Sequence, residues 1–559
     1  MGLDFPKKMR WGDWDIAYPR PLRWLLALHG DRVIPFGIAD VAAGNRSSGH
    51  PQLSVGMFDV EHACDYVAAL KKHKVMVDVE ERRNSILEQL TEIEKSESVK
   101  VVERDRVIPQ VLHLVEWPML TVATFDGGFL RAPKEVLVSE MVEHQKYFPV
   151  EGMDGTLKNR FVITANNTPS EDIRHGNVKV VSARLADGVF LYEQDLKKPL
   201  EEFNELLKHI TFQKELGSVY DKVQRLVDNV EVLHGHLAIA DLEIAKRAAL
   251  LSKADLASDL VGEFPDLQGV VGRLYALAHD ESQEVADAID EHWMPRGEKA
   301  PLPQVPAGVL VSLAEKFDNL ISCFSLGFKP TSSSDPYALR RQVLGIIKIL
   351  IAGEHRLAIL DVLDQCYDRF ASKVGYQLAC DKATTLKDVK AFFTNRIKTV
   401  FQDYGLRKDE IEASLSTGFS DIYDSFCRAK ALHHFRVDNP NFSLLYEVFK
   451  RARGQIEGQG KPAFDEALLQ EDAEKALFDK LRDVESRVEG GIREGNYDAA
   501  YDCLAELQPV LADVFDHVRI LADDEALKNN RIALLQRVFA LFDLLLDFGK
   551  IQEGKKVIA

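Results

Sequence analysis

Cysteine is scarce: six in 559 residues (Cys64, Cys323, Cys366, Cys380, Cys427, Cys503), with no CxxC pair. That excludes a cysteine-based zinc site and a disulfide framework, and it leads to the expectation of a reducing, cytoplasmic setting. Long apolar runs are missing as well. Val343 to Gly353 is interrupted by Lys348, and Phe539 to Phe548 by Asp543 and Asp547, so no membrane span is expected. The lysines at 7 and 8 have no apolar stretch behind them, so this stretch is not expected to be a secretory signal. Positive charge is in deficit, 70 Lys and Arg against 88 Asp and Glu, for a formal net charge of −18. Such a chain disfavours non-specific nucleic-acid binding, DNA included, while leaving room for a local Lys/Arg cluster that holds phosphates. A P-loop, a Ser/His/Asp or Cys/His nucleophile arrangement and an internal repeat are all absent.

What is present divides by period. Residues up to about 195 read as mixed α and β, and the length calls for several domains. The opening interleaves Lys7, Lys8, Arg10, Trp11, Trp14, Tyr18, Arg20, Arg23 and Trp24, a mixture able to grip phosphates and stack on bases, or to form a polar rim. Val77 to Glu97 is a predicted helix. Lys146 to Val150 is a predicted strand, placed at a sheet edge by Pro149, with Asp154-Gly155 as the turn into a returning strand at Arg160 to Thr164. Val178 to Val181 and Gly188 to Tyr192 suggest further short strands. From Pro199 the period is helical: Leu200 to His234, Leu237 to Leu256, Leu310 to Leu326, Leu357 to Ala379, Leu386 to Tyr404 and Glu471 to Ile551. Breaks fall at Pro295 to Pro306, Lys329 to Ser334, Val437 to Asn441, Gly454 to Pro462 and a Gly-Asn-Tyr turn at 495 to 497. The expected fold is multidomain, an α+β domain at 1–195 followed by mainly α-helical domains at 196–352, 353–435 and 436–559.

One helix stands out. Asp335 can cap it and Pro336 suits its first turn. At 100° per residue Leu339, Val343, Ile346, Ile347 and Leu350 form a core-facing stripe, with Arg341 and Lys348 on the opposite face. Arg340 lies at the edge of the stripe. Arg436, Lys450, Arg451, Arg453, Lys528 and Arg531 form basic clusters beside polar loops near the end of the chain, either solvated helix faces or parts of a nucleic-acid groove.

Two stretches invite comparison with enzymes. His234-Gly235-His236-Leu237 resembles the nucleotide-binding signature of class I aminoacyl-tRNA synthetases, but it follows a helical stretch rather than a Rossmann strand, and no KMSKS-like loop comes later. Residues 234 to 318 resemble metal-dependent HD phosphohydrolases, the alternative reading of function. Asp318 could be the distant aspartate. The expected His-Asp pair is instead Lys253 with Asp255 close by, and the one true doublet, His279-Asp280, falls in another helix. A lysine brings positive charge where a ligand lone pair is needed. The expectation is an HD-like scaffold with a degenerate site (Lys253, Asp255, His279, Asp280, Asp318) and no metal.

Taken in order, several stretches resemble the β subunit of bacterial heterotetrameric glycyl-tRNA synthetase. They are Lys8 to Gly12, Leu114 to Pro118, Gln145 to Pro149, Gly176 to Val181, Arg184 to Asp187, Leu251 to Leu256, Asp266 to Gly269 and Asp335 to Arg341. The tail Ala500 to Arg537, with Asp523-Asp524 and Asn530-Arg531, resembles the family's helical anticodon-binding domain, related to that of arginyl-tRNA synthetase. The resemblance implies a tRNA-positioning part of glycine–tRNA ligase with no catalytic residue of its own. Glycine, ATP and Mg2+ would be handled by an α subunit or a fused α module, as an α2β2 assembly or a fused dimer, and this chain would bind no cofactor. It implies tRNA(Gly) as partner, with Arg340, Arg341, Arg436, Lys450, Arg451, Arg453, Lys528 and Arg531 as candidate contacts. The family usually begins with a further N-terminal domain that is expected to be missing here. Pro51, Val142 and Ser182-Ala183 replace family cations, which argues against the usual tRNA contact by the first domain.

Overall fold

A computed structural model describes residues 5–10, 12–331, 333–373, 375, 378–416, 418–440 and 442–552. Residues 1–4, Trp11, Ser332, residues 374, 376 and 377, Asn441 and residues 553–559, all touched on above, lie outside them. The chain is mostly helical and divides into two compact units. One comprises Met1–Lys198 with Ser258–Leu267, the other Pro199–Ala257 with Gln268–Ala559.

The first unit is built on an antiparallel sheet in which Lys100–Val101, Phe148–Glu151, Leu157–Ala165 and Met119–Thr124 lie side by side in that order. Alternation along Leu157–Ala165 sends Phe161, Ile163 and Ala165 to one side and Val162 to the other. Phe161 and Ile163 pack with Val181, Leu185 and Val189 of the helix Glu171–Asp195. Val162 packs with Ile86 and Leu90 of the helix Val79–Glu97. The sheet therefore carries one long helix on each face.

The strands expected at Val178 to Val181 and Gly188 to Tyr192 are not there; both stretches belong to the helix Glu171–Asp195. Ser170 caps it by accepting from the Ile173 amide at 3.2 Å, and Glu171 and Asp172 suit the positive end of its dipole. The core spacing 181, 185, 189 is helical, and it overrides the β-branched valines. Pro149 is not at an edge, because its strand runs between two others. A register shift between Pro149 and Glu151 accommodates the missing donor, and the Pro149 carbonyl still accepts from Val102.

In the second unit the helix Pro306–Ser325 is the hub: almost every residue on it is buried. Helices Val219–Leu237, Leu242–Leu251, Gln283–Glu291, Leu339–Ala352, Ile359–Lys373 and Lys382–Asp403 pack around it. A helix surrounded on all sides is apolar on all sides, so the charges at Glu315, Lys316 and Asp318 need partners. The helix expected over Leu200 to His234 is interrupted by a small hairpin, Thr211–Gln213 with Gly217–Ser218, before Ser218 caps Val219–Leu237. Toward the end of the chain, helices Phe442–Ile456, Asp472–Glu494, Tyr497–Ala505, Gln508–His517 and Glu525–Leu545 share a core rich in phenylalanine. The turn at Gly495 and Asn496 falls where expected, with Gly495 left-handed at φ 73° and Asn496 capping the next helix.

Candidate nucleic-acid interface and a buried charge cluster

Of the residues proposed as a degenerate metal site, Lys253 and Asp318 share a buried charge cluster through Glu315 and Lys222, Asp255 is close enough to Lys253 to interact with it, and His279 and Asp280 lie apart. Asp255 is buried and accepts from the backbone amides of Gly269 at 2.5 Å and Gly272 at 3.1 Å, at the start of the helix Val270–Ala278. Gly272 is required there, since a Cβ would stand 2.7 Å from Ile289 Cγ2 and 3.2 Å from Asp255 Oδ2. His279 caps the other end of that helix, with Asp280 next to it at φ 63°. At 1.5 Å rise per residue, that doublet lies roughly 10 Å further along the axis. Among the described residues no group of three or more His, Cys, Asp or Glu has the geometry to hold a metal ion.

Around Asp318 the space is filled by cations. Arg225 Nε and Nη2 grip its carboxylate at 2.7 and 3.2 Å, and Lys222 Nζ adds a contact at 3.0 Å. Lys222 also lies 3.3 Å from Glu315 Oε1, and Lys253 Nζ lies 3.3 Å from Glu315 Oε2 and from the Trp293 ring centre. Lys316 donates to the Met294 carbonyl and to Ser312 Oγ, both at 2.6 Å. Burial pushes Lys253 down to about 8 and Lys316 to about 7, and it raises Asp255 to about 6. Burial alone would raise Glu315 and Asp318 too; Lys222 with Lys253, and Arg225 with Lys222, hold these two carboxylates below their usual range. Ammonium and guanidinium groups thus stand against the acids a metal would need. Sequence pointed to Lys253 and Asp318 but missed Lys222, Arg225 and Glu315, which are dispersed over about ninety residues.

The candidate RNA-facing cations separate into two kinds. Arg436 is not available to a ligand: its guanidinium meets Asp409 at 2.8 Å and Glu410 at 3.2 Å and donates to the Gln552 carbonyl. Arg531 is likewise inside the fold, 2.5 Å from Glu474 and 2.9 Å from the Arg519 carbonyl. Both are corrections to the sequence reading: each neutralises a buried acid that would otherwise be stranded. Arg340 binds the Thr331 carbonyl and lies 3.8 Å from Asp335, so it pins the preceding loop. Arg341, one position on, is exposed and has no ion-pair partner among the described residues. Lys348 reaches the Glu298 carbonyl at 2.8 Å.

Lys450, Arg451 and Arg453 are exposed on the helix Phe442–Ile456 and meet no carboxylate within ion-pair distance among the described residues. Lys450 lies 5.8 Å over Tyr446 and Arg451 lies 5.3 Å over Phe515. Arg453 passes over Gly549, where a side chain would collide with its guanidinium. At 100° per residue Arg451 and Arg453 flank the buried stripe of Leu445, Phe449 and Ala452, with Lys450 outward between them. The three fan out rather than forming one patch. Lys528 is half-buried and also lacks an ion-pair partner among the described residues.

Residues 446–552, which hold this fan, match the DALR anticodon binding domain model. That places the chain among the components of aminoacyl-tRNA synthetases. Residues 1–416 match the model for the glycyl-tRNA synthetase beta subunit, and the chain belongs to that family. Three curated relatives carry the name glycine–tRNA ligase beta subunit. The one from Desulforamulus reducens is 38% identical over 98% of this chain and 79% of its own length. Those from Shouchella clausii (37%) and Clostridioides difficile (36%) also align over 98% of this chain, and over 80% and 79% of themselves.

Proposed function

We propose that this chain grips and positions tRNA(Gly) for glycine–tRNA ligase, which joins glycine to tRNA with ATP and releases AMP and diphosphate. In this reading the chemistry, ATP and Mg2+ belong to an α catalytic module, separate in an α2β2 assembly or fused in a dimer, acting in the cytoplasm. Residues 196–352 act as an HD-like scaffold, 353–435 as a connector, and the tail as the anticodon-binding domain. The observation that carries the reading is the set of exposed, unneutralised cations Lys450 and Arg451 beside aromatic rings, within the stretch matched to an anticodon-binding domain. Cations beside rings suit both phosphates and unstacked bases. The buried cluster at Lys222, Arg225, Lys253, Glu315 and Asp318 supports a scaffold rather than a hydrolytic centre, because each acid is already answered by a cation.

The test is Arg451→Glu with Arg453→Glu in the full chain. Affinity for tRNA(Gly) is expected to fall by about tenfold or more at moderate salt, with the melting temperature unchanged. Unchanged binding at moderate salt overturns the assignment of the tail.

A further inference from the structure

The helix Lys382–Asp403 lies in the second unit, against Pro306–Ser325, Leu339–Ala352 and Lys408–Ser416. Its inward face is Thr385, Val389, Phe393, Ile397, Val400 and Phe401. At 100° per residue Lys387, Lys390 and Lys398 fall within about 80° of one another along one flank of the helix, with Lys390 at the rim of the inward face between Ile397 and Phe401. Lys387 and Lys390 are exposed and Lys398 half-buried, and none has an ion-pair partner among the described residues. They span roughly 16 Å of helix.

Many exposed cations of this acidic chain are answered by carboxylates, as in Lys480–Glu506, Arg487–Glu506 and Lys382 with Asp364 and Asp368; like Arg341 and the fan at 450, 451 and 453, this stripe is not, among the described residues. On this flank of the helix the neighbours are Thr384, Ala391, Thr394, Asn395 and Gln402. The nearest acid of the helix, Asp388, is turned aside and paired with Lys329 at 2.5 Å. Three lysines left unneutralised in a row impose a repulsion that an anionic partner relieves.

We propose that Lys387, Lys390 and Lys398 form a phosphate rail for a double-helical arm of RNA. The one ring at the same angle, Phe401, is buried, so the stripe offers nothing for unpaired bases to stack on. Point-charge ammonium groups along one line suit backbone phosphates, and they position an RNA without reading its sequence. The proposal rests on the tRNA-binding reading above and extends it to a segment outside the tail.

The test compares the full wild-type chain with Lys387→Gln/Lys390→Gln/Lys398→Gln and with the corresponding triple Glu variant, using tRNA(Gly), a non-cognate tRNA and a plain RNA hairpin across a salt series. Both variants are expected to keep the wild-type melting temperature. The slope of log affinity against log salt is expected to become shallower by about two to three. The loss should be alike for cognate and non-cognate tRNA, leaving their ratio unchanged, and the hairpin should lose affinity too. An unchanged slope overturns the rail, including the case where the variants lose a protein partner instead. If wild type binds no tRNA, the reading of function fails; if wild type binds, the Arg451/Arg453 variant weakens and the lysine variants do not, only the rail fails.

Discussion

Glu140 is a fully buried carboxyl whose two oxygens have no hydrogen-bond partner among the described residues. It begins a π-helical turn, Glu140–His144, against Gly188 of the helix Glu171–Asp195. Burial pushes its pKa up to about 7; Arg184 opposes this, and Asp187, Glu263 and Asp266 add to it. The native state therefore holds this proton more tightly than the unfolded chain, whose carboxyl titrates near the ordinary value. The stabilising contribution is complete below about pH 4.3, is lost as pH rises toward 7, and is level above that; it amounts to roughly 3 kcal/mol. Glu140→Gln removes the proton and its slope. Urea midpoints at pH 5.5 and 8 are expected to show the variant gaining on wild type as pH rises, and a constant gap would refute the assignment. Single-residue roles were the least legible part of the sequence. Arg436 and Arg531 looked like RNA contacts because the acids that bury them, Asp409, Glu410 and Glu474, lie 26 to 57 positions away. Arg341 and Arg451 look the same as these on paper; only packing separates them.

At the scale of the element, the helix Leu339–Ala352 shows what a period does and does not specify. Its stripe, Leu339, Val343, Ile346, Ile347 and Leu350, is buried as the spacing demands. The cap is different. Ala338, left-handed at φ 53°, holds the capping position, and Pro336 lies outside the helix. Asp335 accepts from the amides of Leu339 at 2.9 Å and Arg340 at 3.0 Å from upstream, so it still answers two orphan donors. Asp335→Ala is expected to cost about 1 kcal/mol, read by chemical denaturation, and Asp335→Asn to restore only part of it, because its single amide oxygen can accept from one of the two amides. A variant as stable as wild type would show that solvent serves those amides equally well. The spacing predicts the helix over Leu386 to Tyr404 but does not single out the lysines at 387, 390 and 398, which the net negative composition hid. The helix Glu171–Asp195 was missed for the opposite reason, since local β-branching outweighed its cap signal at Ser170.

At the scale of the whole molecule, the broad order of a mixed α/β beginning and a long helical remainder was readable from the change of period near Pro199. Packing across sequence breaks was not. The breaker residues around 437 to 441 do end a helix, Ile422–Asp438, yet Leu432, Phe435 and Ala413 share the phenylalanine core of the tail. The Asp547 amide donates to the Ala413 carbonyl and the Gln552 amide to Asp409. A fragment of residues 408–552 is therefore expected to melt cooperatively. One of 442–552 should bind a hydrophobic dye and lack a sharp transition, because the seats of Phe435 and Leu432 are open. Equal cooperativity of the two fragments would count against a shared core.

The short return of Ser258–Leu267 to the first unit has a consequence for how such a chain is made and inherited. The carboxylate of Asp195 takes its amide donors from Asp259 at 3.2 Å and Leu260 at 2.9 Å, more than sixty positions downstream. As the ribosome extends the chain, the earlier unit waits for its last ten residues while the first stretch of the later one, Pro199–Ala257, has already emerged without its hub helix. Neither unit can close in simple order of synthesis. For the same reason a single recombination event cannot exchange one unit cleanly for that of a relative: two additional junctions, flanking residues 258 to 267, would have to move with it.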